Sequence, residues 1–406
     1  MTTDAILRRM AYSSTGDCNG RNKGVGVRRR GTTNDSMPLR ILFTPPRYYP
    51  YTGGVEEHCR GYARELQRRG HDVAICCADE GPAWARVDGI PVRRCRTALK
   101  VANTNVTPGL PLHLAMAQAD IIHTFLPTPW SADWSALFGR RRRIPVVLSY
   151  DNDLVGQGMA AHIAGVYNRL LLPRVLDAAD RILLLNPWTS QVPPRLASHT
   201  AKIRAIPPGV DTHRFAPNGG ERWPATFFFL SLLDEYHRYK GLDILLRAMA
   251  SVVQEAPEAR LIVGGGGPLR GEFEDLARRL AIESNVEFRG YVPNADLVNL
   301  YRRCTAFVLP STSALQEGFG IVAAEAMACD APVIVSEIVG VASLITTQAL
   351  GAVVPATDVP SLAAALISRC RGTPLPAGPI GSELVGRELS LSRIGSRLET
   401  LYRSLL

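Results

Sequence analysis

The chain of 406 residues is long enough for two α/β domains, each with its own core; its 46% hydrophobic and 20% charged residues are those of an ordinary globular protein. No uninterrupted apolar run approaches the roughly 18 residues that a membrane-crossing helix needs, and no apolar segment near the amino end makes a secretory signal. The net charge of +9 points to anionic partners such as nucleotides, lipid phosphates or a membrane surface, and no nucleic-acid recognition motif accompanies it.

Residues 1–37 are rich in Arg, Gly, Ser, Thr and Asn and lack apolar periodicity, so they read as a disordered basic tail, with the fold beginning near Met37. Residues 39–43 form a first buried strand. It runs into the loop Pro45-Pro46-Arg47-Tyr48-Tyr49-Pro50-Tyr51-Thr52-Gly53-Gly54 and then a helix over 55 to about 69, stopped at Gly70. Gly53-Gly54 at that helix start is either a phosphate site, by the dipole argument, or only a turn. Eight cysteines are scattered without a C-x-x-C pair, and the vicinal Cys76-Cys77 lies inside an apolar strand pattern. They read as reduced core residues of a cytosolic protein, neither disulfides nor metal ligands.

Buried strands follow over 119–123, 144–150 and 181–185. His123 closes the first of these, where ligand sites commonly lie, and is either a contact or a core histidine. Asp151 and Asp153 are sugar-hydroxyl acceptors or a capping pair for the next helix. The run Arg140–143 is a solvated surface loop, or it attracts an anionic membrane at roughly 1 kcal/mol per basic residue. Phe125, Leu126, Trp130 and Trp134 add to such a surface or fill the core. Proline and glycine density over 206–220 marks an interdomain linker. Two domains result, 38–215 and 216–388, and a last helix over about 389–406 carries the apolar row Leu391, Ile394, Leu398 and Leu401.

The second domain opens with a strand over 226–230, followed by Lys240-Gly241 at a helix entry. Residues 261–268 are a strand ending in Gly264-Gly265-Gly266-Gly267-Pro268, whose spacing is not that of a dinucleotide fingerprint. The most informative stretch is Glu317-Gly318-Phe319-Gly320-Ile321-Val322-Ala323-Ala324-Glu325, set between strand patterns at 306–311 and 332–335. Strand, glycine loop, helix and strand make the unit that presents ligands at the carboxyl end of a parallel sheet. Gly318 and Gly320 permit a tight turn and close approach of a ligand, and a helix opening at about Gly320 favours an anion at its free N–H groups. Glu317 and Glu325, eight residues apart, suit vicinal hydroxyls of ribose or hexose.

Together Pro310-Ser311, Glu317-Gly-Phe-Gly, Glu325-Ala-Met-Ala-Cys and Pro332-Val-Ile resemble the signature of the retaining glycosyltransferases of family 4, also called group 1 glycosyltransferases. The resemblance covers roughly residues 38–370. It implies an α/β fold of the GT-B type, two Rossmann-like doubly wound domains facing a central cleft, with the last helix packing back on the N-terminal domain. It also implies transfer of a hexosyl group from a nucleotide diphosphate-sugar to a glycan, lipid-linked or small-molecule acceptor, without metal or other cofactor. Glu317 is expected at the donor sugar and reacting centre, Glu325 at the ribose, and Lys240 with an arginine at the diphosphate. Leu232 stands where relatives carry that arginine, so Arg238 is the expected replacement. Gly53, Gly54, Gly318, Phe319 and Gly320 are expected around the donor phosphates, Gly264 and Gly266 on the nucleotide side, and backbone at Tyr291 and Val292 around the base. Asp151 stands where many relatives have a histidine on the donor sugar, and Asp330 stands where they have glycine, which implies a left-handed backbone there. Peripheral contact with the inner face of a membrane accompanies the lipid-linked option. The competing readings are a GT-B sugar-nucleotide epimerase, a phosphorylase relative and a non-catalytic nucleotide-sugar binder.

Because the fold is expected to start near Met37, deleting residues 1–36 should leave activity unchanged in a transfer assay, and a large loss would instead make the arm a binding element.

Overall fold

The computed structural model describes residues 37–51, 53–78, 81–101, 103–151, 154, 159–186, 193–348, 350–373 and 381–406. The tail expected before Met37, and Asp153, lie outside the described residues. The N-terminal half contains β1 (Arg40–Thr44), α1 (Gly54–Arg68), β2 (Asp72–Ala78), β3 (Trp84–Val87), β4 (Ile90–Cys95), β5 (Leu99–Val101), β6 (Thr104–Val106) and α2 (Gly109–Met116). It continues with β7 (Ile121–Leu126), α3 (Ser131–Arg142), β8 (Val146–Tyr150), α4 (Met159–Leu170), α5 (Leu172–Ala178), β9 (Arg181–Leu184) and β10 (Ile203–Ala205). The C-terminal half contains β11 (Thr226–Leu230), α6 (Leu242–Glu255), β12 (Arg260–Gly264), α7 (Arg270–Arg279), β13 (Val286–Gly290), α8 (Asn294–Arg303) and β14 (Ala306–Leu309). There follow α9 (Ile321–Ala328), β15 (Val333–Ser336), α10 (Ala342–Gln348), β16 (Gly351–Val354), α11 (Val359–Cys370), α12 (Gly381–Glu388) and α13 (Leu391–Arg403).

The first sheet has the order β10-β9-β8-β7-β1-β2-β4-β3 and is parallel except for the β3–β4 hairpin. The second, β13-β12-β11-β14-β15-β16, is parallel throughout. Parallel strands are covered by helices on both faces and so read as continuous apolar runs, as in β14, where all of Ala-Phe-Val-Leu is buried. Strand order reverses at β1/β7 and at β11/β14. Crevices for ligands open at such switch points, beyond the carboxyl ends of the strands. The loops leaving β1, β11 and β14 are those that carry Gly53, Lys240 and Glu317.

In the first domain α1 and α13 cover one face of the sheet, with Tyr62, Leu66, Ile394, Leu398 and Tyr402 in a common core. Helices α3 and α5 cover the other, through Ala132, Ala136, Leu172 and Leu176. The final helix therefore does return to the first domain. Its crossing lies beside the linker, where Val210 N–H donates to Leu389 O at 2.7 Å and Leu391 N–H to Val210 O at 3.0 Å.

The structure corrects several expectations. β7 runs three residues past its expected end, so His123 sits in mid-strand and is fully buried. Its Nδ1 lies 2.5 Å from Tyr402 Oη and its Nε2 2.9 Å from Ser149 Oγ. Burial, reinforced by His58 nearby, pushes its pKa well below the usual histidine value. His123 is thus a core residue that ties α13 to the sheet and reaches no ligand. Arg140, Arg141 and Arg142 form the last turn of α3, where cations complement the helix dipole, and Arg142 Nη1 donates to Leu114 O at 3.1 Å. Phe125 and Leu126 are core, and Trp130 and Trp134 are half-buried against it. Asp330 does adopt the left-handed backbone, at φ 57°.

Tyr402→Phe leaves His123 Nδ1 without its partner inside the core and should cost about 1–3 kcal/mol of stability, read from the midpoint of urea unfolding; an unchanged midpoint would show that the bond does not fasten α13.

Candidate active site

A cleft with a volume of about 640 Å³ lies between the two sheets. From the N-terminal domain it is lined by the loop after β1 (Pro46, Arg47, Tyr51, Gly53), the first turns of α1 and the end of β8, and α4 forms a further wall. From the C-terminal domain come Glu235, Tyr236, His237, Tyr239, Lys240 and the run Gln316-Glu317-Gly318-Phe319-Gly320-Ile321.

At its centre Lys240 Nζ donates to Glu317 Oε2 at 2.8 Å. Ser311 Oγ donates to the same oxygen at 2.5 Å, and Ser336 Oγ donates to Ser311 O at 2.6 Å. Glu317 is buried and Lys240 nearly so. Burial works to lower the Lys240 ammonium's pKa, but Glu317 and Tyr239 beside it outweigh this and hold it above its ordinary value. Lys240 is therefore a fixed cation across the physiological range. Its position depends on Gly241, at φ +78°, because any Cβ there would strike the carbonyl of Pro310.

Above this pair opens α9. Gly320 caps it at φ +83° with no side chain bonded to its first N–H groups, which leaves its positive end open to an anion. Gly318 lies so close to the first domain that a Cβ would overlap the carbonyl of Asp151 and touch Leu185. The Glu317–Gly320 loop and the end of β8 are thus in direct contact, and the domains meet over the cleft.

The opposing wall holds polar groups that the sequence did not single out. Arg47 is buried, with Nη1 on Asn103 Oδ1 at 3.1 Å and Nε 3.5 Å from Glu56 Oε1. Burial, only partly offset by Arg47, pushes the Glu56 carboxyl up to about 7. The Glu56 carboxylate also fills the space above Gly53, where a Cβ would meet its Oε2 at 2.5 Å. His58 Nδ1 donates to Asp151 Oδ2 at 3.2 Å, while His58 Nε2 and Asp151 Oδ1 are buried without a partner. Glu56 and His58 were legible only as polar residues in the first turns of a helix that opens on a glycine pair.

The cleft therefore brings together Glu317, Lys240, Gly53, Gly54, Gly318, Phe319, Gly320 and Asp151. Arg238 is not among its lining residues: its guanidinium points to the surface, clasped by Glu235 and by Glu272 at 2.6 Å each. Gly264, Gly266, Tyr291 and Val292 also lie off the lined surface. The glycine run instead packs on the loop after β11, where Leu233 N–H donates to Gly266 O at 2.9 Å and a Cβ on Gly265 would strike Ser231 O. Val292 is core, and the Tyr291 side chain is exposed. Glu325, one turn into α9, is likewise off the lined surface; it accepts from Tyr301 Oη at 3.1 Å, and burial pushes its carboxyl up to about 7. Among the described residues no group of three or more His, Cys, Asp or Glu side chains is placed to hold a metal ion.

The family model "Glycosyltransferase Family 4" matches residues 52–214, and the model "Glycosyl transferases group 1" matches residues 221–376. A D-inositol 3-phosphate glycosyltransferase of Saccharomonospora viridis is 32% identical over 374 residues, 81% of this chain and 85% of the relative. A GDP-mannose-dependent α-(1-6)-phosphatidylinositol monomannoside mannosyltransferase of Mycolicibacterium smegmatis is 25% identical over 345 residues, 80% of this chain and 88% of the relative. Among solved structures, HepE of Anabaena in complex with UDP and glucose superposes with a TM-score of 0.71 at 18% identity, over 90% of this chain and 100% of that one.

Lys240→Met strands the buried Glu317 carboxylate and should destabilise the protein by about 3 kcal/mol, whereas the double variant Lys240→Met/Glu317→Gln should recover most of that loss. Urea unfolding of the two variants checks this, and equal losses would show that the groups are uncoupled.

Proposed function

The chain belongs to glycosyltransferase family 4, the group 1 glycosyltransferases of GT-B fold, and from that premise we propose that it moves a hexosyl group from a nucleotide diphosphate-sugar to an acceptor with retention at the anomeric carbon. The observation that carries this reading is the Lys240–Glu317 pair beneath the open start of α9. A fixed cation and a bare helix terminus converge where a diphosphate leaving group would sit, and a carboxylate lies beside them for sugar hydroxyls.

In this scheme the bond from the anomeric carbon to the diphosphate oxygen breaks while the acceptor oxygen bonds to the same face of the sugar. The acceptor proton passes to the departing diphosphate. Lys240 and the N–H groups of α9 take up the charge that develops on that group. Arg47 is the second cation we assign to it, in place of Arg238, because it is the arginine that lines the cleft among the described residues. Glu317 and Asp151 face the donor sugar from opposite domains, and Glu325 takes the ribose hydroxyls. No metal enters the scheme. The acceptor is a glycan, a lipid-linked molecule or a small molecule, and it enters from the N-terminal side. Peripheral attachment to an anionic membrane through Arg140–143 belongs to the same proposal. No helix among the described residues is long and apolar enough to cross a membrane.

A thermal-shift panel of UDP, GDP, ADP and dTDP, each with and without EDTA, tests the reading. One nucleotide should stabilise the protein irrespective of EDTA, and Glu325→Ala should weaken its binding by about 1.5–3 kcal/mol, the scale of a charged hydrogen bond. Because the ionised Glu325 is the better acceptor, affinity in the wild type should rise as pH climbs through about 7. No shift with any nucleotide would overturn the proposal in favour of a degenerate family member.

A further inference from the structure

Helix α4 has two apolar faces that meet in one residue. At about 100° per residue, Ala160, Ile163, Ala164 and Tyr167 share the face that lines the cleft. Ile163, Val166 and Leu170 form the adjoining row, and they are 49%, 59% and 57% exposed. Ile163 belongs to both, so the apolar wall of the cleft continues without a polar break onto the outer surface. Arg169 borders the row on its far side and is exposed.

Three large aliphatic side chains exposed in a row on one helix are unusual for a surface that faces only water. Scattered apolar residues need no explanation, but this row leads out of a ligand cleft. From Ile163 to Leu170 the helix rises about 10 Å, room for an extended alkyl chain of roughly eight carbons. On the donor side the lining instead mixes the charged and polar Glu235, His237, Lys240 and Glu317 with Tyr236, Tyr239, Phe319 and Ile321.

We propose that the acceptor is an amphiphile whose hydrocarbon chain leaves the cleft along Ile163, Leu170 and Val166 while its hydroxyl-bearing head sits beside Glu56. This rests on the transfer reaction above and narrows its acceptor class. A fixed polar head with a chain of variable length is the chemistry such a surface distinguishes. A soluble glycan without a chain leaves the row wet and gains nothing from it.

The test measures binding of hexyl, octyl and decyl β-D-glucoside to the full chain, by titration calorimetry below their micellar concentrations. The head is constant, so the slope with chain length isolates the row. Affinity should rise about twofold per added methylene, half on a logarithmic scale of the effect of full burial. Val166→Asp and Leu170→Asp lie outside the cleft lining and on the exposed surface. They should flatten the slope while leaving the nucleotide thermal shift unchanged. A flat slope in a wild-type protein that still binds nucleotide would overturn the proposal. So would a slope that both variants retain. Binding of the wild type to phosphatidylglycerol vesicles with a flat alkyl slope would assign the row to a bilayer instead, and dimerisation in sedimentation that Val166→Asp abolishes would assign it to a second copy. Failure of the transfer reading shows separately, as absence of any nucleotide shift, while the alkyl slope is still read.

Discussion

The buried pair Lys240–Glu317 is the interaction on which the cleft depends. A lysine brought into a protein wall loses hydration, and only a partner at hydrogen-bond distance keeps it charged. Here the partner is itself held by Ser311, whose carbonyl is held by Ser336 on the neighbouring strand β15. The cation is therefore referred back to two adjacent strands of the second sheet and does not float on its loop. Preorganisation of this kind is what the proposed transfer requires of it, because no reorientation is left for the moment of reaction.

Backbone proximity supplies the rest of the geometry, and glycine is what permits it. Gly241 sits under the Pro310 carbonyl, Gly318 against the Asp151 carbonyl, and Gly320 turns into α9 with Val339 behind it. The first fixes Lys240, the second closes one domain on the other, and the third aims the helix terminus. Side chains at these positions would not merely crowd the cleft. They would separate the parts whose convergence makes it a site.

What could be read in the sequence follows from this division. Continuous apolar runs announced both parallel sheets, and the spacing of Glu317, the two glycines and the start of α9 announced the donor-side loop, because each is a local property of the chain. Asp330 was legible for the same reason: one backbone angle in one turn. His123 was left between contact and core because strand ends are poorly marked. Three more residues of β7 moved it from the rim to the core, and its partner Tyr402 lies 279 positions away. Arg238 was a plausible diphosphate ligand by proximity to Lys240 in sequence, but the turn between them points its guanidinium at Glu272 on α7. Arg47, Glu56 and His58 went unassigned because their significance lies in facing the other domain, which no local pattern records.

The two chain crossings between the domains lie together. The linker after β10 and the crossing before α13 run side by side, bonded at Val210, Leu389 and Leu391, with Gly209 tight against Leu391. A hinge between the domains would have these two neighbouring crossings as its axis. A rotation there would carry Gly318 away from Asp151 while leaving Lys240 and Glu317, both in the second domain, in place. The electrostatic core of the site is thus built inside one rigid body. The groups facing it, Asp151 with His58 and Arg47 with Glu56, arrive or leave together with the other. A ligand that fills the cleft meets Lys240 and the start of α9 from the second domain, and Arg47 from the first.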